Sequence, residues 1–401
     1  MRARCWPSTT KTTCPKPKRD VSDVAIVGGG LSGLLTAWRL LDVNRDANVT
    51  VYEAKDEIGG DHTWSFNDSD IPEALRDWLA PFVRHSWDRY DVKFSDRERT
   101  LEIGYRSGDS ETLRAAIAPL RDTGRLHVQT GQSVEPKDIH AGVVIDARGF
   151  EARDDTFLGY QKFVGRTIKT EQPHGVVHPV IMDATVEQID GYRFLYLLPF
   201  SETEMLVEDT YFSDTPHLSE NEIGARIDNY IAEKGWSDHR VIRNEKGVLP
   251  MTTATDRDDD AVEIGLRGGL VVSATGFTVP HAVETADVVA QAYKRGEAEA
   301  VGPAIRALKR RHYKREQYAR LLNRMFFHAG EPEKRYVILQ RFYGLNEGLV
   351  RRFYRNALTP WDKMRILFGK PPVPVTRALY NFSEKAFIRR QRRLTPAERE
   401  R

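Results

Sequence analysis

Gly28-Gly-Gly30-Leu-Ser-Gly33 fits the spacing G-x-G-x-x-G. Glycine at the first position permits a tight turn. At the second it lets backbone approach a pyrophosphate, and at the third it lets a helix lie close on a strand. The N–H groups of a helix starting there face phosphate oxygens. Glu53 follows Gly33 by 20 residues and ends an apolar segment, where a carboxylate can hold ribose hydroxyls. Gly28, Gly30, Leu31, Ser32, Gly33 and Glu53 together predict a dinucleotide site. The plainer alternative is a glycine turn used only for packing, and the local pattern does not choose between FAD and NAD. A second acidic pair, Glu208-Asp209, follows the apolar segment Met205–Val207. On a strand the two would face opposite sides and need not share a proton; read alone, they are strand-end acids in solvent. The histidines show no ligand spacing, so no metal is expected.

The elements that must position these groups follow from periodicity. Val24–Val27 is an apolar run ending at Gly28, the mark of a buried parallel strand. Leu31–Leu41 carries helical spacing through Leu34, Leu35, Trp38 and Leu41, and Val49–Tyr52 is a second strand. A third, Val143–Ile145, ends in Asp146-Ala-Arg-Gly149. Residues 61–100 read as loop-rich, with Trp64, Trp78 and Trp87 scattered through them. Val176–Met182, Tyr192–Leu198 and Met205–Val207 suggest an inserted antiparallel sheet, and Ile223–Lys234 a helix. Leu270–Ser273 reads as a late buried strand, followed by Ala274-Thr-Gly276 and a helix from about Val283 to Tyr293. Helical patterns dominate from Ala304, including Gln317–Phe327 and Leu349–Leu367, with breaks at Gly330-Glu-Pro332, Gly344 and Gly369-Lys-Pro-Pro372. The expected organisation is a tail without assignable structure (1–21), a nucleotide-binding α/β domain (22–158 and 246–300), a β-rich substrate domain (159–245) and a helical region (301–401).

The chain has 401 residues, 40% of them hydrophobic, with 60 Lys+Arg against 58 Asp+Glu. That is enough for two or three domains, and the balance excludes a disordered or fibrous chain. The only cysteines, Cys5 and Cys14, exclude a disulfide scaffold and suit a reducing cytosol. There is no apolar run long enough to span a bilayer and no signal-peptide core near the N-terminus. The small net charge hides an asymmetry. Residues 301–401 hold 25 basic and 8 acidic side chains, and the other 300 residues hold 35 and 50. The basic segment also carries 14 aromatics. Basic charge among aromatics suits an anionic membrane face or a nucleic acid; a helical domain with an aromatic core and a solvated basic face is the plainer reading.

Beyond Glu53 the chain reads Ala54, then Ile58-Gly59-Gly60. This resembles FAD proteins of the glutathione-reductase type, in which such glycines also approach the cofactor. The segment Ala274-Thr-Gly276 resembles the one that closes over the flavin in those folds. The Gly-Asp pair usual in flavin hydroxylases, the halogenase Trp-x-Trp-x-Ile-Pro and any Cys-x-x-Cys are absent. Longer stretches resemble the bacterial lycopene β-cyclases: Asp23–Gly33, Gly59-Gly-Asp-His-Thr-Trp-Ser-Phe66, Ile181-Met-Asp-Ala-Thr-Val186, Gly191-Tyr-Arg-Phe194, Leu206-Val-Glu-Asp-Thr210, Asn323-Arg-Met325, Gln340-Arg-Phe-Tyr-Gly-Leu345 and Arg365-Ile-Leu-Phe-Gly-Lys-Pro-Pro-Val-Pro374. The resemblance runs from about Asp23 to Ala378. Two departures stand out. The family's Phe-His-Pro-Thr-Thr-Gly-Tyr is Val271-Val-Ser-Ala-Thr-Gly-Phe277 here, and a typical Asn is Asp61.

The resemblance implies an α/β fold with a glutathione-reductase-type FAD-binding Rossmann domain, an inserted antiparallel-sheet substrate domain and a helical C-terminal region. It implies acid-catalysed cyclisation of the linear ends of lycopene to β-ionone rings, through γ-carotene, without net redox change. The flavin is expected in its reduced form, with NAD(P)H as electron donor. Protonating a terminal double bond requires a carboxylic acid kept protonated in apolar surroundings. The resemblance places that donor at Glu208, with Asp209 beside it. The expected cofactor contacts are Gly28, Gly30, Leu31, Ser32, Gly33, Glu53, Ala54, Gly60, His62, Asp146, Gly149, Thr275 and Gly276. The expected substrate lining is Trp64, Asp183, Tyr192 and Arg193, any of which could instead be ordinary packing. Because lycopene resides in the bilayer, residues 301–401 are expected to hold the protein to an anionic membrane surface on the cytoplasmic side, with no nucleic-acid partner. The alternative is a flavin-dependent isoprenoid desaturase or reductase, which would consume NAD(P)H stoichiometrically.

Overall fold

The computed structural model describes residues 23–256, 261–367 and 373–394. The expected tail 1–21 and the break at 369–372 lie outside those residues. In chain order the first strands are β1 (Val24–Val27), β2 (Val49–Tyr52), β3 (Thr63–Asn67), β4 (His85–Trp87), β5 (Tyr90–Phe94), β6 (Arg97–Leu101) and β7 (Tyr105–Asp109). Then come β8 (Leu126–Gln129), β9 (Val143–Asp146), β10 (Thr156–Thr170), β11 (Val180–Asp183), β12 (Tyr192–Pro199), β13 (Glu204–Ser213) and β14 (His239–Thr255). The helices are α1 (Leu31–Val43), α2 (Glu73–Leu79), α3 (Ser110–Asp122), α4 (Glu220–Glu233), α5 (Val279–Arg315), α6 (Gln317–Asn323), α7 (Arg335–Phe342), α8 (Glu347–Tyr354), α9 (Pro360–Leu367), α10 (Val375–Phe382) and α11 (Glu384–Gln391).

The four residues of β1 are all buried, so β1 takes the sheet interior, pairing in parallel with β2 and β9. The order is β8-β2-β1-β9. Leu34, Leu35, Leu40 and Leu41 of α1 pack with the strands and with Val283, Ala286 and Val289 of α5 in one apolar core. Each fully buried Leu or Val there contributes about 1.5–3 kcal/mol. A Cβ on Gly33 would sit 2.1 Å from the Gly28 carbonyl oxygen, so only glycine lets α1 lie this close to the turn.

The second layer is a seven-stranded sheet of order β14-β10-β13-β12-β11-β5-β6, antiparallel except where β11 meets β5. Alternation along it separates two cores. Leu206, Phe212, Tyr192 and Phe194 face the C-terminal helices, while Val207, Tyr211, Leu195 and Leu197 face Ile223, Ile227 and Ile231 of α4.

Three expectations need correction. Residues 61–100 are not mainly loop: they form β3 to β6 and α2, and β3 and β4 pair with β7 in a third sheet. These strands are short and half-exposed, so they leave no apolar run. Leu270–Ser273 is buried but is not a strand. Its backbone turns on itself, with Thr275 and Gly276 N–H groups on the Val272 carbonyl, and the partner beside β9 is Glu263. Leu349–Leu367 is two helices, α8 and α9, separated where Asn356 takes a φ of 53°. Gln317–Phe327 is helical throughout, but from Arg324 it is wound as a π-helix that continues to Ala329. Among the described residues no helix is long and apolar enough to cross a membrane.

Candidate active site

The turn from β1 into α1 forms a cradle. Gly28 has φ 112°, and a Cβ there would lie 2.6 Å from the Ala147 backbone. A Cβ on Gly30 would meet nothing within 4 Å, because that position looks into a cavity of about 1560 Å³. Gly28, Gly30, Leu31, Ser32, Glu53, Ala54, Gly60, His62, Gly149, Thr275 and Gly276 all border this cavity. The first-turn N–H groups of α1 lack intrahelical partners and point out of the helix end. Glu53 is fixed by accepting the Gly29 N–H (2.8 Å) and the Lys55 N–H (3.0 Å). An open glycine turn, a helix start and an anchored acid fit the pyrophosphate and ribose of a dinucleotide. Gly33 and Asp146 are not on the cavity wall: Gly33 packs α1, and Asp146 ion-pairs with Arg148 (2.8 Å).

The same cavity continues under the seven-stranded sheet, which gives its wall Phe163, Phe194, Tyr196, Leu206 and Glu208, while β3 adds Trp64. Phe326 and Phe327 of the π-helical turn and Phe353 of α8 close it from the other side. π turns recur at functional sites because they displace side chains from the helical register. Gly159 makes room for this arrangement, since a Cβ there would be 2.5 Å from the Phe327 ring.

Glu208 is the buried acid on this wall, 9% exposed. Its Oε1 accepts the Thr210 hydroxyl (2.6 Å). Burial, then the nearby Glu245 carboxylate, lift its carboxyl to about 8. Asp209 is turned to the opposite face. There it accepts the Arg193 guanidinium (Nε to Oδ1, 2.9 Å) and the Tyr211 hydroxyl (2.9 Å). The structure therefore does not bring the two acids together, and Asp209 has no access to the cavity. Arg193 and Asp183 also lie away from it. Asp183 accepts the Tyr230 hydroxyl (2.8 Å) and the Thr185 hydroxyl (2.6 Å) on the α4 side. Tyr192 is fully buried among Phe194, Phe212 and Phe326 rather than on the wall. Of the expected substrate lining, only Trp64 borders the cavity; strand alternation sends Asp183 and Arg193 to the α4 face. His62 lies on the wall, and burial lowers its imidazole below the usual range, which favours the neutral form.

Sequence reading missed Tyr196, whose hydroxyl meets that of Tyr105 at 2.9 Å, and Glu245. Nothing local marks them, because they reach the site only through strand pairing. His281, His312 and Glu316 also converge in the fold. The Arg315 guanidinium already stands 3.1 Å from His281 Nδ1 and Glu316 accepts the Ser273 N–H (2.9 Å), and we assign the group no ion.

A glycine cradle at a Rossmann sheet, opening into an apolar chamber under a large mixed sheet, defines the flavoprotein reductase and oxygenase fold. A geranylgeranyl bacteriochlorophyll reductase-like protein from Thermoplasma acidophilum shares it (TM-score 0.59, 14% identity, 90% of this chain and 99% of that one). So does a flavin-dependent brominase (TM-score 0.58, 15% identity, 84% and 93%). Within that class the chain belongs to the lycopene cyclase protein family, whose sequence model matches residues 23–380. It is 40% identical to a lycopene beta-cyclase of Pseudescherichia vulneris over 371 residues (89% of this chain, 96% of the relative). It is 38% identical to one of a Paracoccus species over 384 residues (92% and 98%).

Proposed function

We propose that this protein is a lycopene β-cyclase, closing the linear ends of lycopene to β-ionone rings by way of γ-carotene, with Glu208 as proton donor. The observation that carries the reading is a carboxyl group on an apolar cavity wall, with its ordinary range displaced to about 8, in the chamber that also holds the dinucleotide cradle. A carboxylic acid that stays protonated at neutral pH delivers H⁺ to an alkene far better than an ionised surface acid does.

Gly28, Gly30 and the α1 N-terminus would hold the FAD pyrophosphate, and Glu53 the ribose. When bound and reduced, with NAD(P)H as the source of electrons, the flavin supplies negative charge beside the developing carbocation. The chain's own groups do the rest. Phe163, Phe194, Phe326 and Phe327 exclude water that would otherwise trap the cation. Trp64 and Tyr196 offer π faces to it. After ring closure a ring proton must leave, and ionised Glu208 is the carboxylate placed to take it back.

The substrate is a hydrocarbon of the bilayer, so the cavity needs a greasy mouth. Leu367, Val375, Leu379 and Phe382 border the cavity, and Leu379 (71% exposed) and Phe382 (56%) also face outward. Trp361 and Met364 of α9 and Tyr380 of α10 are also exposed, and these helices and α11 carry the exposed cations Lys363, Arg365, Arg377, Lys385 and Arg389. Exposed apolar side chains and cations on the same helices match an anionic membrane surface.

Expression in a lycopene-accumulating bacterium tests the function. Conversion of the pigment to β-carotene is expected; persistence of lycopene with the protein folded and flavin-loaded would overturn the reading. NAD(P)H consumption equal to product formed would mark an oxidoreductase instead.

A further inference from the structure

Gly165 on β10 pairs with Glu208 of β13 on one side and with Glu245 of β14 on the other. Directly paired residues in antiparallel strands project to the same face, so the two acids share a face, and Gly165 itself puts no side chain between them. Glu245 and Leu206 lean over that glycine: a Cβ on Gly165 would lie 3.0 Å from Glu245 Cγ, 3.2 Å from Leu206 Cδ1 and 3.4 Å from Glu245 Oε1. Glu245 is 6% exposed. Its Oε2 accepts the Thr63 N–H (2.8 Å) and the Arg243 guanidinium (3.1 Å). Its Oε1 is buried without a hydrogen-bond partner among the described residues.

The two acids are unequally supported. Burial raises the Glu245 carboxyl as well, but a guanidinium and a backbone N–H oppose that and favour its ionised form. Glu208 has one hydroxyl. Other charged or titratable groups near the pair are Asp61, which ion-pairs with Arg243 (3.7 Å), His62 on the same loop, and the Tyr196 and Tyr105 phenols. Asp209 is paired with Arg193 across the sheet. Arg243 is the cation in this set, and it is committed to Glu245, Asp61 and the Thr63 hydroxyl. The negative charge facing Glu208 is therefore that of Glu245.

We propose that Glu245 is a positioning residue for the acid: its carboxylate, acting across the space left by Gly165, keeps the proton on Glu208. Thr63, whose N–H anchors Glu245, itself borders the cofactor cavity, so the anchor of Glu245 lies on the cavity wall at the start of β3. This assignment rests on Glu208 being the donor, and it names what arms that donor. Glu245 does not border the cavity and touches no substrate.

The test is direct titration of the Glu208 carboxyl by infrared difference spectroscopy of the flavin-loaded protein without carotenoid. The Glu208→Gln variant identifies the band. In Glu245→Gln, which retains an acceptor for Thr63 and Arg243, the midpoint is expected to fall by about one pH unit or more, equivalent to a tenfold shift in protonation. The alkaline limb of the activity profile should move with it, with bound flavin unchanged. Glu245→Asp, which keeps the charge, should hold the midpoint near that of the parent. An unmoved midpoint in Glu245→Gln overturns the inference even if the enzyme makes β-carotene. A shifted midpoint in a protein that never makes β-carotene would sink the proposed function and leave this pair standing. If Glu245→Gln does not fold, Glu245→Ser, which also removes the charge, carries the same expectation and the same refutation.

Discussion

Glu208 and Asp209 are neighbours on β13, yet their carboxyl groups lie on opposite faces of the seven-stranded sheet. One looks into the cavity beside Leu206; the other grips Arg193 and Tyr211 against the α4 side. The pair divides chemistry from architecture. Glu208→Gln is expected to abolish β-carotene formation, with flavin content and unfolding midpoint close to the parent. Asp209→Ala is expected to act on stability, because it leaves the Arg193 guanidinium buried and unpaired, a loss of about 3–5 kcal/mol. Urea denaturation separates the two. An Asp209→Ala protein as stable as the parent but catalytically dead would reverse the assignment.

The raised Glu208 carboxyl also fixes a sign for stability against pH. Its ordinary value is 4.5 and its folded value about 8, so between those limits the folded chain holds a proton that the unfolded chain has released. The contribution is complete below about 4.5 and is lost as pH climbs through about 8. Unfolding free energy measured from about pH 5 to about pH 9 should therefore fall more in the parent than in Glu208→Gln, whose amide does not titrate. Parallel curves would mean that Glu208 is already ionised at neutral pH.

Gly33 and Gly30 should fail in different ways. Gly33→Ala drives a Cβ to 2.1 Å from the Gly28 carbonyl oxygen, so it should unfold the Rossmann core or lower its stability sharply. Gly30→Ala meets no protein atom within 4 Å. The apoprotein should keep its melting temperature, while the added methyl group projects where a pyrophosphate would sit and bound flavin is lost. Flavin absorbance after gel filtration, set beside apoprotein melting curves, checks both. Retention of flavin by Gly30→Ala would place the phosphates elsewhere.

Much of this was legible in the sequence where one segment carried its own signal. The run Val24–Val27, the three glycines and Glu53 define the cradle locally, because strand, turn and helix start all fall within thirty residues. The sheet was legible in part: the alternation at Met205–Val207 separates Glu208 from Asp209 once a strand is assumed. Residues 63–101 hid their strands because β3, β4 and β6 are half-exposed and carry polar residues on both faces, so neither apolar runs nor clean alternation survive. Leu270–Ser273 misled in the opposite sense: it is apolar enough for a strand but is consumed by a turn around Val272. Glu245 was illegible because its meaning depends on pairing with Gly165, 80 residues earlier, and Asp183 and Arg193 were placed on the substrate wall only because the facing of their strands was unknown.

The cavity mouth should also be the membrane contact. Leu379 and Phe382 reach outward from α10 while bordering the chamber, and Trp361 at 78% exposure is the most exposed of the aromatic side chains in this patch. Burying such side chains in a lipid interface contributes about 1.5–3 kcal/mol each, while Lys363, Arg365, Arg377, Lys385 and Arg389, exposed on α9 to α11, add attraction that salt screens. The two contributions can be separated by flotation with anionic vesicles. Replacing Lys363, Arg377 and Arg389 by Gln should weaken binding at low salt and flatten its salt dependence. Replacing Trp361, Leu379 and Phe382 by Ser should weaken binding at every salt concentration, and it should slow conversion of lycopene in vesicles more than conversion of detergent-dispersed lycopene. Equal slowing in both would make the patch part of the catalytic chamber rather than its door to the bilayer. Binding unaffected by either set would place the membrane face elsewhere on the molecule.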